Sequence, residues 1–151
     1  MNILVVSEFG LYGELSCSFV HSQTREYAAQ GHRVRVIIPN GVESVGEYAF
    51  RACWSLKTVT ISSSVKSIGE RSFTTCKSLE RVTIPDGVVS LGEYAFDWCD
   101  SLKTVEMADS VTDMGVAVFS VCKNLEKVKL SKNLTSIELE SFSYCENLKE
   151  I

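Results

Sequence analysis

The sequence predicts an α/β molecule: a right-handed solenoid of 23-residue repeats carrying a parallel β-sheet, opened by an N-terminal βαβ unit that acts as its cap. Three observations lead there. Phe50, Phe73, Phe96, Phe119 and Phe142 recur every 23 residues, as do Cys53, Cys76, Cys99, Cys122 and Cys145, and a period in this range marks stacked coils. Within each unit a leucine leads into an alternating apolar pair, L-x-x-V-x-I, which is the pattern of a strand with one face buried. Ahead of the repeats stand an apolar run, a glycine-containing loop and a helical pattern.

In chain order, "NILVV" (2–6) reads as a buried strand, without the basic leader or small-residue cleavage site of an export signal. "SEFGLYGELSCS" (7–18) is a loop. A helix follows over "SFVHSQTREYAAQ" (18–30), with Phe19, Val20, Thr24, Tyr27 and Ala28 on one face, Ser16 or Ser18 to cap its start and Gly31 to stop it. "RVRVII" (33–38) is the next strand. Val36 and Ile38 fall in the columns of Val59 and Ile61, whereas Arg33 and Val34 stand where leucine and lysine are expected. The array therefore starts at about Arg35, dividing the chain into a capping segment, 1–34, and repeats, 35–151. A strand, crossover helix and parallel strand are right-handed almost without exception. The opening unit then serves as an oversized first coil, its helix covering the open end of the core.

Through the repeats, further columns keep their apolar character: Leu56, Leu79, Leu102, Leu125 and Leu148; Val42, Val65, Val88, Val111 and Leu134; Val45, Ile68, Leu91, Met114 and Ile137. One unit cannot close a core, but stacked units can, each phenylalanine meeting its copy at about the 4.8 Å spacing of paired strands. Burying each large side chain contributes roughly 1.5 to 3 kcal/mol. A longer period is also visible: "RVIIPNGVESVGEYAF" (35–50) resembles "RVTIPDGVVSLGEYAF" (81–96), and "SLKTV" recurs at 55 and 101, as in an array built from duplicated pairs.

"LERVTIPDGVVSLGEYAFDWC" (79–99) resembles the BspA-like (Treponema-type) leucine-rich repeat family, and the resemblance covers residues 35–151. It departs at Ala108 and Ser131, where the proline is lost, and at Glu138, which replaces the glycine of Gly46, Gly69, Gly92 and Gly115. Glycine there serves either a positive φ or a close approach between coils, so the last unit is expected to be looser. The family resemblance implies adhesion or recognition at a microbial surface. A second resemblance covers about 40 residues: Gly31, His32, Val34, Val36 and Pro39 are similar to the opening of family-4-type GT-B glycosyltransferases. It implies a loop near acceptor and sugar nucleotide at Gly10 and Gly13, but the donor-binding half and its acidic motif are missing.

Five of the six cysteines occupy one interior column, which favours buried free thiols over disulfides or a metal stack. Cys17 lies outside the column as the one candidate reactive thiol, with an ordinary loop cysteine the favoured reading. His21 on a polar helix face and His32 at a strand entry lack an assigned acidic partner, so no catalytic residue, cofactor or metal is expected. Glu47, Glu70 and Glu93 form a solvating row. Asn133 begins an "NLT" sequon, with a turn asparagine the favoured reading.

On the sheet's outward face the alternation places Arg35, Thr58, Arg81, Thr104 and Lys127 in one column and Thr60, Thr83, Glu106 and Lys129 in the next. Repeat proteins bind through such extended faces. This one is locally more basic than the chain and is assigned to a protein, or alternatively a glycan, ligand. Lys57, Glu80, Lys103, Glu126 and Lys149 alternate in sign from coil to coil and are expected to pair. Trp54 and Trp98 are expected to cover the coil edge.

At 151 residues and 45% hydrophobic content one compact domain is expected. A net charge of −4 disfavours nucleic acid. No stretch reaches the roughly 18 apolar residues needed to span a bilayer, so the chain is expected to be soluble and, as written, cytoplasmic. Self-association through the last coil's edge is a further expectation. The favoured function is a non-enzymatic interaction module; the alternatives are a glycosyltransferase-derived fragment with residual nucleotide-sugar or acceptor binding, and a fusion without a selected role.

Overall fold

The computed structural model describes residues 2–6, 26, 27 and 29–151. Each coil turns through three sides. The first builds a six-stranded parallel sheet in the order β1 (Asn2–Val6), β2 (Arg33–Ile38), β4 (Leu56–Ile61), β6 (Arg81–Ile84), β8 (Thr104–Met107) and β10 (Lys127–Lys129). The second builds a four-stranded parallel sheet of two-residue strands, β3 (Ser44–Val45), β5 (Ser67–Ile68), β7 (Ser90–Leu91) and β9 (Asp113–Met114). The molecule is thus a β-solenoid with a 23-residue period. Among the described residues only Glu26, Tyr27 and Ala29 are helical.

The third side carries no strand, yet its hydrogen bonding is regular. Tyr48, Phe50 and Ala52 donate their N–H groups to the carbonyls of Glu70, Ser72 and Thr74 in the next coil, and the same three bonds recur at each later junction. All of these donors face the following coil. In an extended strand the intervening N–H groups would face the preceding coil; here Ala49, Arg51 and Cys53 donate instead within their own coil, to the carbonyls of Gly46, Tyr48 and Phe50, in tight turns that left-handed residues allow. Tyr48, Ala52, Arg71, Thr75, Tyr94, Trp98, Ala117, Val121, Glu140 and Tyr144 all adopt φ between 49° and 62°. Each such non-glycine residue costs on the order of 1 kcal/mol, offset by the bonds it aligns.

Between the three sides lies an apolar core. The phenylalanine rings stack with centroids 5.0, 5.1, 5.5 and 5.8 Å apart from first pair to last. The five column cysteines are free thiols. They fill space and also bond: Cys76, Cys99 and Cys122 donate Sγ–H to the carbonyls of Phe50, Phe73 and Phe96 at 3.2 to 3.3 Å.

The opening strand joins the array. β1 pairs in parallel with β2 from Asn2 opposite Arg33 to Val6 opposite Ile37. Gly31, at φ +80°, ends the preceding helical turn, and His32 N–H reaches back to the Tyr27 carbonyl at 3.1 Å, the six-to-one bond of a Schellman stop. Tyr27 packs against the core. The rest of the expected capping helix, with Phe19, Val20, His21, Thr24 and Ala28, and the loop with Gly10, Gly13 and Cys17, lie outside the described residues.

Where β2 enters the array, the expected column assignment needs a correction. The register shifts by one residue between Val34 and Arg35, so Val34 lies opposite Leu56 and is 1% exposed. A bulge therefore puts an apolar residue in the leucine column, because leaving Arg33 there would bury an unpaired charge. From Arg35 onward the register follows the 23-residue period.

The repeated glycine serves close approach. Gly69, Gly92 and Gly115 do not have positive φ; a Cβ at Gly92 would lie 2.6 Å from the Glu70 backbone nitrogen, and one at Gly115 2.7 Å from that of Glu93. The duplicated-pair period also has a structural counterpart. Ser64 Oγ accepts from Gly41 N–H and donates to the Val42 carbonyl, and Ser110 repeats both bonds with Gly87 and Val88.

The last coil breaks the pattern. Val45, Ile68, Leu91 and Met114 are buried, but Ile137, expected in the same column, is 53% exposed, and no short strand forms there.

Candidate interaction surface

The outward face of the six-stranded sheet carries every residue assigned to it by alternation. Arg35 lies opposite Thr58, Thr58 opposite Arg81, Arg81 opposite Thr104, and Thr104 opposite Lys127. In the neighbouring column Thr83 lies opposite Glu106, and Glu106 opposite Lys129. Thr60 and Thr83 are exposed, as are Arg35, Arg81, Glu106, Lys127 and Lys129, while Thr58 and Thr104 are half-buried between longer neighbours. The strands fix these side chains in rows because each apolar partner, such as Val82 or Val105, is fully buried on the opposite face.

The face is electrically more balanced than its cations alone suggest. Arg81 lies 3.9 Å from Glu106, Lys127 lies 2.7 Å from Glu150, and Arg35 Nε donates to Thr58 Oγ1 at 3.2 Å. Glu150 and Ile37 were not among the expected face residues. Adding one period to Lys127 reaches the first, and subtracting one from Thr60 reaches the second, which the ladder places opposite Thr60. Along the strand entry, Lys57 meets Glu80 at 3.4 Å and Glu126 meets Lys149 at 3.9 Å, pairs that span adjacent coils as their alternating signs require.

The remaining candidates have structural surroundings. Glu70 accepts from Tyr48 Oη at 3.4 Å and pairs with Arg71, whose guanidinium lies 4.3 Å from the centroid of the Tyr94 ring. Asn133 Nδ2 donates to the Asp109 carbonyl at 2.8 Å and so ties its turn to the preceding coil. Trp54 and Trp98 are each about half exposed, so they cover the coil edge only in part. Burial pushes the Cys145 thiol up to about 12 and raises Cys99 and Cys122 as well, which keeps these column thiols protonated and poorly nucleophilic.

A second feature had only one sequence signal, Glu138 in the glycine column. Between the fourth and fifth coils a cleft of about 410 Å³ opens beside β9, lined in part by Gly92, Glu93, Asp113, Met114, Gly115 and Glu138. No helix among the described residues is long and apolar enough to cross a membrane.

A family model described as BspA type leucine rich repeat region matches residues 27–151 in six copies. Among solved structures, a leucine-rich repeat protein from Bacteroides ovatus is similar at 35% identity and TM-score 0.71, over 76% of this chain and 30% of that one. A leucine-rich repeat protein of T. pallidum is similar at 34% identity and TM-score 0.72, over 76% of this chain and 56% of that one. The pneumococcal vaccine antigen PcpA, 18% identical with TM-score 0.51 over 71% of this chain and 32% of its own, shares the fold. The chain thus spans about a third to just over half the length of these structures. No curated protein sequence matches it significantly. The resemblance of residues 1–40 to glycosyltransferases finds no support in these comparisons.

Proposed function

The chain belongs to the BspA-type leucine-rich repeat family, and from that premise we propose that it is a non-enzymatic protein-interaction module that binds through the outward face of its six-stranded sheet. The observation that carries this reading is the row Arg35, Thr58, Arg81, Thr104 and Lys127, held in register across five strands with Thr60, Thr83, Glu106 and Lys129 beside it. Such a face costs little ordering entropy on binding, because its backbone is already fixed by the ladder. Alternating cations, carboxylates and threonine hydroxyls offer hydrogen bonds and charge pairs to a partner of matching pattern, which gives specificity more than raw affinity.

A protein ligand suits this face better than a glycan. None of the described outward residues of the sheet is aromatic, so sugar rings find no stacking platform there, whereas peptide amides and charged side chains find partners throughout. The shortage of aromatic anchors points to modest affinity, since hot spots are enriched in tryptophan, tyrosine and arginine.

A display library of folded protein domains selected on the chain tests the reading. Clones so obtained are expected to lose binding to Thr60→Arg/Thr83→Glu and to Arg81→Glu/Lys127→Glu variants, and to keep it to a Val89→Ser control on the second side. Clones that tolerate every change on the sheet face would reject it.

A further inference from the structure

We propose that the cleft beside β9 is a strand-acceptor site for an extended peptide of the pattern basic, apolar, glycine. The proposal starts from hydrogen bonds that stop. In the first three coils the carbonyls of Val45, Ile68 and Leu91 accept from Gly69, Gly92 and Gly115 of the following coil at 2.8, 2.7 and 2.9 Å, and the short strands pair in register. At the fourth coil this pairing ends. Met114, whose side chain is 4% exposed, has neither backbone group bonded to a backbone partner in the fifth coil among the described residues. The junction is intact elsewhere: Thr135 N–H reaches the Thr112 carbonyl at 3.1 Å, Ala117 N–H the Leu139 carbonyl at 3.0 Å, and Lys127 N–H the Lys103 carbonyl at 3.2 Å.

Glu138 explains the gap. It stands to Gly115 as Gly115 stands to Gly92, and any Cβ at Gly115 would lie 2.7 Å from the Glu93 nitrogen. Glu138 has a Cβ, so its segment cannot take the lane that glycine takes in earlier coils. It swings outward, leaving Ile137 53% exposed and opening the cleft of about 410 Å³.

The lane that remains specifies its occupant. A strand lying beside Met114 must present glycine next to Gly115, because only a residue without Cβ passes there. The preceding residue points inward, into the column position Ile137 has left, and is apolar. The residue before that falls beside Asp113, with Glu93 and Glu138 also lining the cleft, so a lysine or arginine there is matched in charge. Main-chain bonds to Met114 supply affinity and the side-chain pattern supplies selectivity, as in strand addition to an exposed sheet edge. This site is separate from the six-stranded sheet's face and does not rest on the function proposed for it.

The test is a titration of isotope-labelled chain with the acetylated, amidated tripeptide KIG, whose length matches the three positions open between the bonded Thr135 and Leu139, followed at backbone amides. Saturable shifts centred on Met114 and Gly115 in the millimolar range are expected, with about 10-fold weaker binding of the peptide KIA. Glu138→Gly is expected to let the chain's own segment close: the Met114 amide gains protection from hydrogen exchange and KIG binding weakens by about 10-fold or more. Absence of saturable shifts, shifts confined to the other sheet, equal binding of the alanine peptide, or a Glu138→Gly variant with unaltered Met114 exchange or peptide binding would each overturn the proposal. None of these outcomes bears on the sheet-face reading.

Discussion

The interior thiols show how narrow the choice of residue becomes at one position. Each must be small enough for the column, apolar enough for the core and still able to donate to the phenylalanine carbonyl of the coil before it. Glycine is constrained harder. Gly92→Ala drives a Cβ to 2.6 Å from backbone that cannot swing aside, so a loss of more than about 2 kcal/mol is expected in urea unfolding, at the upper end of ordinary point mutations. Asp97 is a different case, a carboxyl that the fold tolerates at a cost. Burial is the main reason its pKa rises to about 6, hydrogen bonds from Ser120 and the Trp98 backbone acting the other way, and its Oδ1 is buried without a partner among the described residues. A raised acid pKa means the folded state holds the proton more tightly than the unfolded chain. This group's contribution therefore favours folding below about pH 4 and is lost as pH rises through about 6. Asp97→Asn is expected to stabilise the fold at pH 7.5 by on the order of 1 kcal/mol after allowing for partial exposure, seen as a higher melting temperature, and to leave the melting temperature unchanged at pH 4. An equal shift at both values would contradict the assignment.

At the scale of elements, the three sides of a coil are held by different bonding. The long strands alternate their donors between the two neighbouring coils, whereas the third side sends every coil-to-coil donor forward and turns the rest back within its own coil. Its regularity at every described junction explains why the last coil stays attached while its short strand does not form. The first element is equally informative. β1 makes five registered pairs with β2 and thereby covers that strand's edge. Removing residues 1 to 32 exposes the edge of β2 and strips Tyr27 from the core, so a lower melting temperature and concentration-dependent association in sedimentation are expected. An unchanged melt would show that the opening segment is not part of the stack. Glu138→Gly, by contrast, is expected to raise the melting temperature even without peptide, because it lets Ile137 return to the core.

Across the whole molecule, each coil contacts its neighbours alone, so stability propagates along one dimension. Phe96 is fully buried between Phe73 and Phe119, whereas Phe142 is only partly buried. Phe96→Ala is expected to cost roughly 3 to 5 kcal/mol, and Phe142→Ala less than half of that; equal losses in denaturant titrations would argue against a stacked column. Much of this architecture was legible beforehand. The recurrence of Phe50 through Phe142, the alternation in "RVTI" and the outward row from Arg35 to Lys127 all follow from chemistry repeated along the chain, and the fold and the sheet face follow with them. The cleft was not legible, although Glu138 marked its place. By itself the sequence determined the period, the inward side chains and the outward columns, because periodicity is a property of residue order and of the strand's two-fold alternation. Only the tertiary structure decided that Val34 slips into the leucine column, that glycine serves contact and not a left-handed turn, that the third side's coil-to-coil donors all point one way, and that Ile137 leaves the core. Each of these depends on distances between atoms one coil apart, and no local pattern records how closely two backbones pass.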